Sequence, residues 1–88
     1  MSFFLAFSSK ASKQIKKLPE NIKEKIKKAC LEISENPWHK GTIKVEGYVN
    51  IRRKRIGRYR ILYLVDKIKK EILIIKVELR DEETYKLA

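Results

Sequence analysis

Five apolar residues in a row, Phe3 to Phe7, open the pattern, and a run of that kind without polar alternation predicts a short buried strand. Ser8 and Ser9 follow, where a hydroxyl can cap the first turn of a helix. Ala11, Ile15 and Leu18 then recur at helical spacing with lysines between them. Beyond Pro19 a second apolar stripe runs through Ile22, Ile26, Ala29, Cys30 and Ile33. Pro19 suits a turn or the first position of a new helix, because its φ is already fixed and its missing N–H is not needed there. The pattern predicts a helical hairpin over about 9–18 and 20–35, ended by Asn36-Pro37.

Further along, the period changes to two. Strands are predicted over about 49–56, 59–65 and 72–79, with 38–47 as a connection that enters the sheet and 66–71 as a turn. Gly57-Arg58 reads as a two-residue hairpin turn, with glycine at the first central position as a type II′ turn prefers. That turn sets Ile56 opposite Tyr59 and Arg55 opposite Arg60. Alternation then places Arg53, Arg55, Arg60, Leu62 and Leu64 on one face, and Tyr59, Ile61, Tyr63 and Val65 on the other. Unbroken alternation over 72–79 assigns Leu73, Ile75, Val77 and Leu79 to the apolar face. Ile74, Lys76, Glu78 and Arg80 fall to a mixed face that joins the arginines. The order strand, helix, helix, strand, strand, strand predicts an α+β fold. Its helical hairpin packs on one face of a four-stranded, mostly antiparallel sheet, and the other face stays open to a partner.

A length of 88 residues fits one domain, 1–88, with a small core. No apolar run approaches the ~20 residues of a membrane span, so the expectation is a cytoplasmic protein with no membrane contact. A single cysteine, Cys30, excludes an intrachain disulfide, and His39 is the only histidine. No cofactor or metal is expected, because no His/Cys/Asp/Glu cluster has ligand spacing. Cys30 lies on the apolar helix stripe and reads as core rather than as a nucleophile.

Charge changes the picture most. There are 22 Lys and Arg against 11 Asp and Glu, a formal charge of +11. Five of the six arginines fall within nine residues: Arg52, Arg53, Arg55, Arg58 and Arg60. The guanidinium fork matches two oxygens of one phosphate, whereas lysines spread over helices give a long-range field. Arg55 opposite Arg60 costs stability, which a bound anion offsets. A phosphate-backbone site follows, with RNA favoured as the partner. The competing reading is a solvated hairpin whose arginines pair with Glu46, Glu78 or the acids at 81–83. RNA cleavage asks little of such a site, since the 2′-hydroxyl is a built-in nucleophile and cations can stabilise the extra charge on phosphorus. Proton transfer falls to Tyr85, Glu78 or Lys54, because arginine does not titrate.

Three segments carry a family resemblance: "KQIKKLPENIKEKI" at 13–26, "RKRIGRYRILYLV" at 53–65 and "KVELRDEETY" at 76–85. Together, in this order, they resemble the RelE/ParE superfamily of toxins from toxin–antitoxin systems, and its RelE-like branch of archaeal type. The resemblance implies a ribosome-dependent messenger RNA endonuclease that works without a metal and inhibits translation. It implies catalytic roles for Arg60 at the scissile phosphate, Arg53 and Arg55 beside it, Arg80 at the leaving group and Tyr85 at the nucleophile. Arg52, Lys54, Arg58 and Lys76 are the further RNA contacts expected. The implied partners are the ribosome, messenger RNA and a cognate antitoxin, whose acidic or amphipathic segment covers the basic sheet face. Leu79 stands where members often carry histidine, so a His/Glu proton-transfer pair is not a model here. Arg52 and Lys54 share the parity of Ile61 and Tyr63. The alternatives are a ParE-like inhibitor of DNA gyrase and a non-catalytic RNA- or protein-binding relative.

Overall fold

A computed structural model describes residues 2–79. The apolar opening forms β1 (Phe4–Phe7), and the helices follow as α1 (Ser9–Lys16) and α2 (Glu20–Glu35). Ser8 caps α1 as its position suggests: its Oγ accepts from the Ala11 N–H at 3.0 Å and donates to the Ile75 carbonyl at 2.6 Å. Pro19 is the N-cap of α2, and α2 ends at Asn36-Pro37.

Four more strands complete the chain: β2 (Thr42–Lys44), β3 (Ile51–Ile56), β4 (Tyr59–Asp66) and β5 (Glu71–Leu79). The sheet therefore has five strands, not four, in the order β1-β5-β4-β3-β2. The added strand is Thr42–Lys44, which pairs antiparallel with β3 inside the segment expected to be a connection. The sheet is mixed: β1 runs parallel to β5, and the other neighbours are antiparallel. Gly57 takes φ 57° while Arg58 is not in the positive-φ region, the II′ pattern. The hairpin register is the one the turn dictates, with Ile56 opposite Tyr59 and Arg55 opposite Arg60.

β5 departs from unbroken alternation. Leu62 pairs with Lys76 but Tyr63 pairs with Ile74, so Ile75 is an extra residue opposite β4. The bulge flips the phase. Ile72 and Ile74 face the helices and are fully buried, whereas Leu73 is 37% exposed on the open face. Beyond the bulge Val77 returns to the core side. Ser8 holds the bulge through the Ile75 carbonyl, and Gln14 of α1 accepts from the Val77 N–H at 2.8 Å, where β1 has ended. The core lies between the helices and one sheet face, built from Ala11, Ile26, Ala29, Cys30 and Ile33 against Ile61, Tyr63, Val65, Ile72, Ile74 and Val77. Burial pushes the Cys30 thiol up to about 11. Among the described residues no helix covers the opposite face, and it is there that Arg53, Arg55 and Arg60 emerge.

Candidate nucleic-acid interface

Strand alternation sorts the basic run of β3 into two sets. Arg53 and Arg55 point to the open face, and Arg60 joins them from β4 as the direct cross-strand partner of Arg55. Together with Gly41 and Ile43, these arginines line a cleft of about 340 Å³. Ile43 reaches it because it pairs with Arg53 across β2 and β3. Gly41, just before β2, has φ 101°, a conformation that glycine adopts without strain.

Among the described residues, no carboxylate lines the cleft. The acid beside it is Glu78 of β5, opposite Arg60. Its Oε2 lies 3.9 Å from Arg60 Nε, and its Oε1 lies 3.2 Å from Lys76 Nζ. Lys76 therefore takes the shorter contact, and the Arg60 guanidinium is only loosely engaged. Among the described residues the three guanidinium groups then converge with little compensation, an arrangement that favours a multivalent oxyanion such as a phosphodiester. Arginines in this setting can bind a phosphate and stabilise added negative charge, but they cannot move protons at neutral pH.

The structure sets Arg52 and Lys54, both expected among the RNA contacts, apart from this face. Both turn to the helix side. Arg52 Nη2 donates to Thr42 Oγ1 at 2.9 Å and to the Thr42 carbonyl at 3.2 Å. The Lys54 ammonium lies 3.1 Å from Glu32 Oε1, and that hydrogen bond holds the Glu32 carboxyl below the usual carboxylate range. Tyr63 lies beneath the same layer, donating its hydroxyl to the Pro37 carbonyl at 2.6 Å, and burial raises its phenol. Of the remaining expected contacts, Arg58 is exposed in the hairpin turn, and Lys76 is on the arginine face but paired to Glu78. Arg80 and Tyr85 lie outside the described residues.

Sequence reasoning missed Gly41 and Ile43, the wall of the cleft. The only signal was a strand-forming pair, Thr42-Ile43, after a glycine.

Solved structures share this architecture. The intact E. coli RelBE toxin–antitoxin complex matches at 28% identity and TM-score 0.80, over 89% of this chain and 96% of that one. A RelBE complex from Mycobacterium tuberculosis matches at 25% identity and TM-score 0.77, over 91% and 100% of the two chains. The RelB–RelE complex of Methanococcus jannaschii matches at 26% identity and TM-score 0.72, over 90% and 93%. Comparison with curated protein sequences finds no match. The helical hairpin and the mixed sheet are those of a RelE/ParE-superfamily toxin. Residues 5–84 match the family model described as ParE toxin of type II toxin-antitoxin system, parDE, and the chain belongs to that family of type II toxins.

Proposed function

We propose that this toxin is an endoribonuclease that cuts messenger RNA on the ribosome and so inhibits translation. The observation that carries the reading is the convergence of Arg53, Arg55 and Arg60 on one cleft of the open sheet face. The scissile phosphate sits among these guanidinium groups. Its neighbouring 2′-hydroxyl attacks phosphorus and expels the 5′-oxygen of the next nucleotide. Arg60, nearest the centre of the sheet, stabilises the charge that builds on the non-bridging oxygens. Arg80 supports the leaving oxygen, and Tyr85 orients or deprotonates the nucleophile, in the roles that the family resemblance implies. The cleft supplies its own cations, so this mechanism calls for no metal.

The partner that restrains the toxin is a cognate antitoxin with an acidic or amphipathic segment. Two observations support it: the structural neighbours include toxin–antitoxin complexes, and the chain carries a formal charge of +11. Ribosome-dependent action places the protein in the cytoplasm. A second reading, inhibition of DNA gyrase without catalysis, is favoured by the ParE description of the matching family model.

Purified toxin added to a translating extract, with mapping of message ends, separates the two. Cuts on ribosome-bound message and none on free RNA support the nuclease. Loss of gyrase supercoiling with intact message overturns it in favour of the second reading.

A further inference from the structure

Behind the cleft, on the helix side of the sheet, is a polar assembly that the phosphate site does not use. Lys54 stands between Arg53 and Arg55 in sequence, and its side chain is 11% exposed. Its ammonium meets two groups, Glu32 Oε1 at 3.1 Å and His39 Nε2 at 2.5 Å. An ammonium only donates, so Nε2 is the acceptor. The ring proton is then on Nδ1, which donates to the Asn36 carbonyl at 2.7 Å. The His39 carbonyl in turn accepts from Thr42 Oγ1 at 2.8 Å and from the Thr42 N–H at 3.2 Å. This short segment runs directly into Gly41 and Ile43, the outer wall of the cleft.

We propose that Glu32, Lys54 and His39 form a positioning latch that holds the Gly41–Ile43 wall beside the arginines only while His39 is neutral, so that RNA binding in the cleft weakens on mild acidification. The inference rests on the cleft being an RNA site. Protonation turns Nε2 from acceptor to donor and sets an imidazolium against the Lys54 ammonium. Among the described residues, the charged and titratable groups around the latch are Glu32 and Lys28 from α2, Lys54 and Arg52 from β3, and Tyr63 from β4. Glu32 is the one acid among them and is already engaged by Lys54. The sign is discriminating, because added positive charge by itself strengthens RNA binding.

His39 is the only histidine of the chain, so wild type compared with His39→Gln at about pH 7.5 and about pH 5.5 isolates what the imidazole contributes. The glutamine amide oxygen can accept from Lys54 without titrating. Three readouts apply: emission of Trp38, amide exchange at 41–43, and affinity for a single-stranded RNA oligonucleotide. Trp38 is the only tryptophan and sits edge-on to Phe3 with ring centroids 5.7 Å apart. In wild type, acidification should shift the emission, lower the protection of the 41–43 amides relative to their intrinsic exchange rate at each pH, and lower RNA affinity about tenfold, which is about 1.4 kcal/mol. His39→Gln should show none of these changes. Equal responses in the two proteins, or tighter RNA binding by acidified wild type, overturn the latch. If wild type binds no RNA at neutral pH, the RNA reading fails, and emission and exchange alone decide the latch. Imidazole nitrogen shifts of wild type add a measurement that needs no variant: the Nδ1–H tautomer supports the latch, and the Nε2–H tautomer overturns it.

Discussion

Replacing Arg60 with alanine should cost RNA binding far more than stability. The Arg60 side chain is 25% exposed, and its ion pair with Glu78 spans 3.9 Å. A pair that long and that open contributes about 0–1 kcal/mol. Arg55, directly across the strand pair, is a like charge whose repulsion costs about 0.2–1 kcal/mol. The two effects nearly cancel, and the net change in unfolding free energy should stay within about 1 kcal/mol, most of it from lost packing of the stem. Binding is different. One hydrogen-bonded contact from a charged group to phosphate is worth about 1.5–3 kcal/mol, which is about 10- to 150-fold in affinity. Loss of one phosphate contact should also lower the salt slope for single-stranded RNA by about 0.7. Anisotropy titrations at several salt concentrations, beside urea melts, measure both. Parallel losses in the melt and the titration would refute the reasoning and make Arg60 structural. Unchanged affinity with an unchanged salt slope would refute it equally.

Three further outcomes concern the frame that holds the cleft. Ser8→Ala removes the α1 cap and the bond to the bulge carbonyl, and should cost about 1–2 kcal/mol in a urea melt; a loss under about 0.3 kcal/mol contradicts that role. Tyr63→Phe leaves the Pro37 carbonyl without its buried donor and should destabilise by about 1–3 kcal/mol, with RNA affinity at neutral pH changed less than about twofold. Cys30, held near 11, should react slowly with a thiol reagent at mildly alkaline pH in the native protein and fast in urea. The same shift fixes a sign: its contribution to stability is complete below the unfolded thiol value of about 8.5 and is lost as pH rises through about 11.

The β3–β4 hairpin was legible because one glycine turn determines its register, and register determines which arginines share a face. The same logic failed on β5. Over Ile72 to Ile75 both parities are apolar, so composition holds no sign of the bulge. What selects the bulge comes from elsewhere in the chain: Ser8 and Gln14 supply the hydrogen-bonding groups. β2 is three residues long, too short to show a period. Arg52 and Lys54 set two rules against each other. Their parity pointed inward and their charge pointed outward. Parity prevails because Thr42, Glu32 and His39 arrive from other segments to satisfy them, and no local pattern announces that. The particular roles of Arg80 at the leaving group and Tyr85 at the nucleophile rest on the family resemblance.

Three arginines acting on one phosphate chain is the claim beneath this account, and side-chain Nε–H resonances of the arginines test it directly. Titration of wild-type toxin with an unstructured RNA oligonucleotide should shift Arg53, Arg55 and Arg60 together, with one common midpoint, while Arg52 on the far side of the sheet stays put. Arg52 moving with the RNA, or the three cleft arginines responding at separate midpoints, would contradict it.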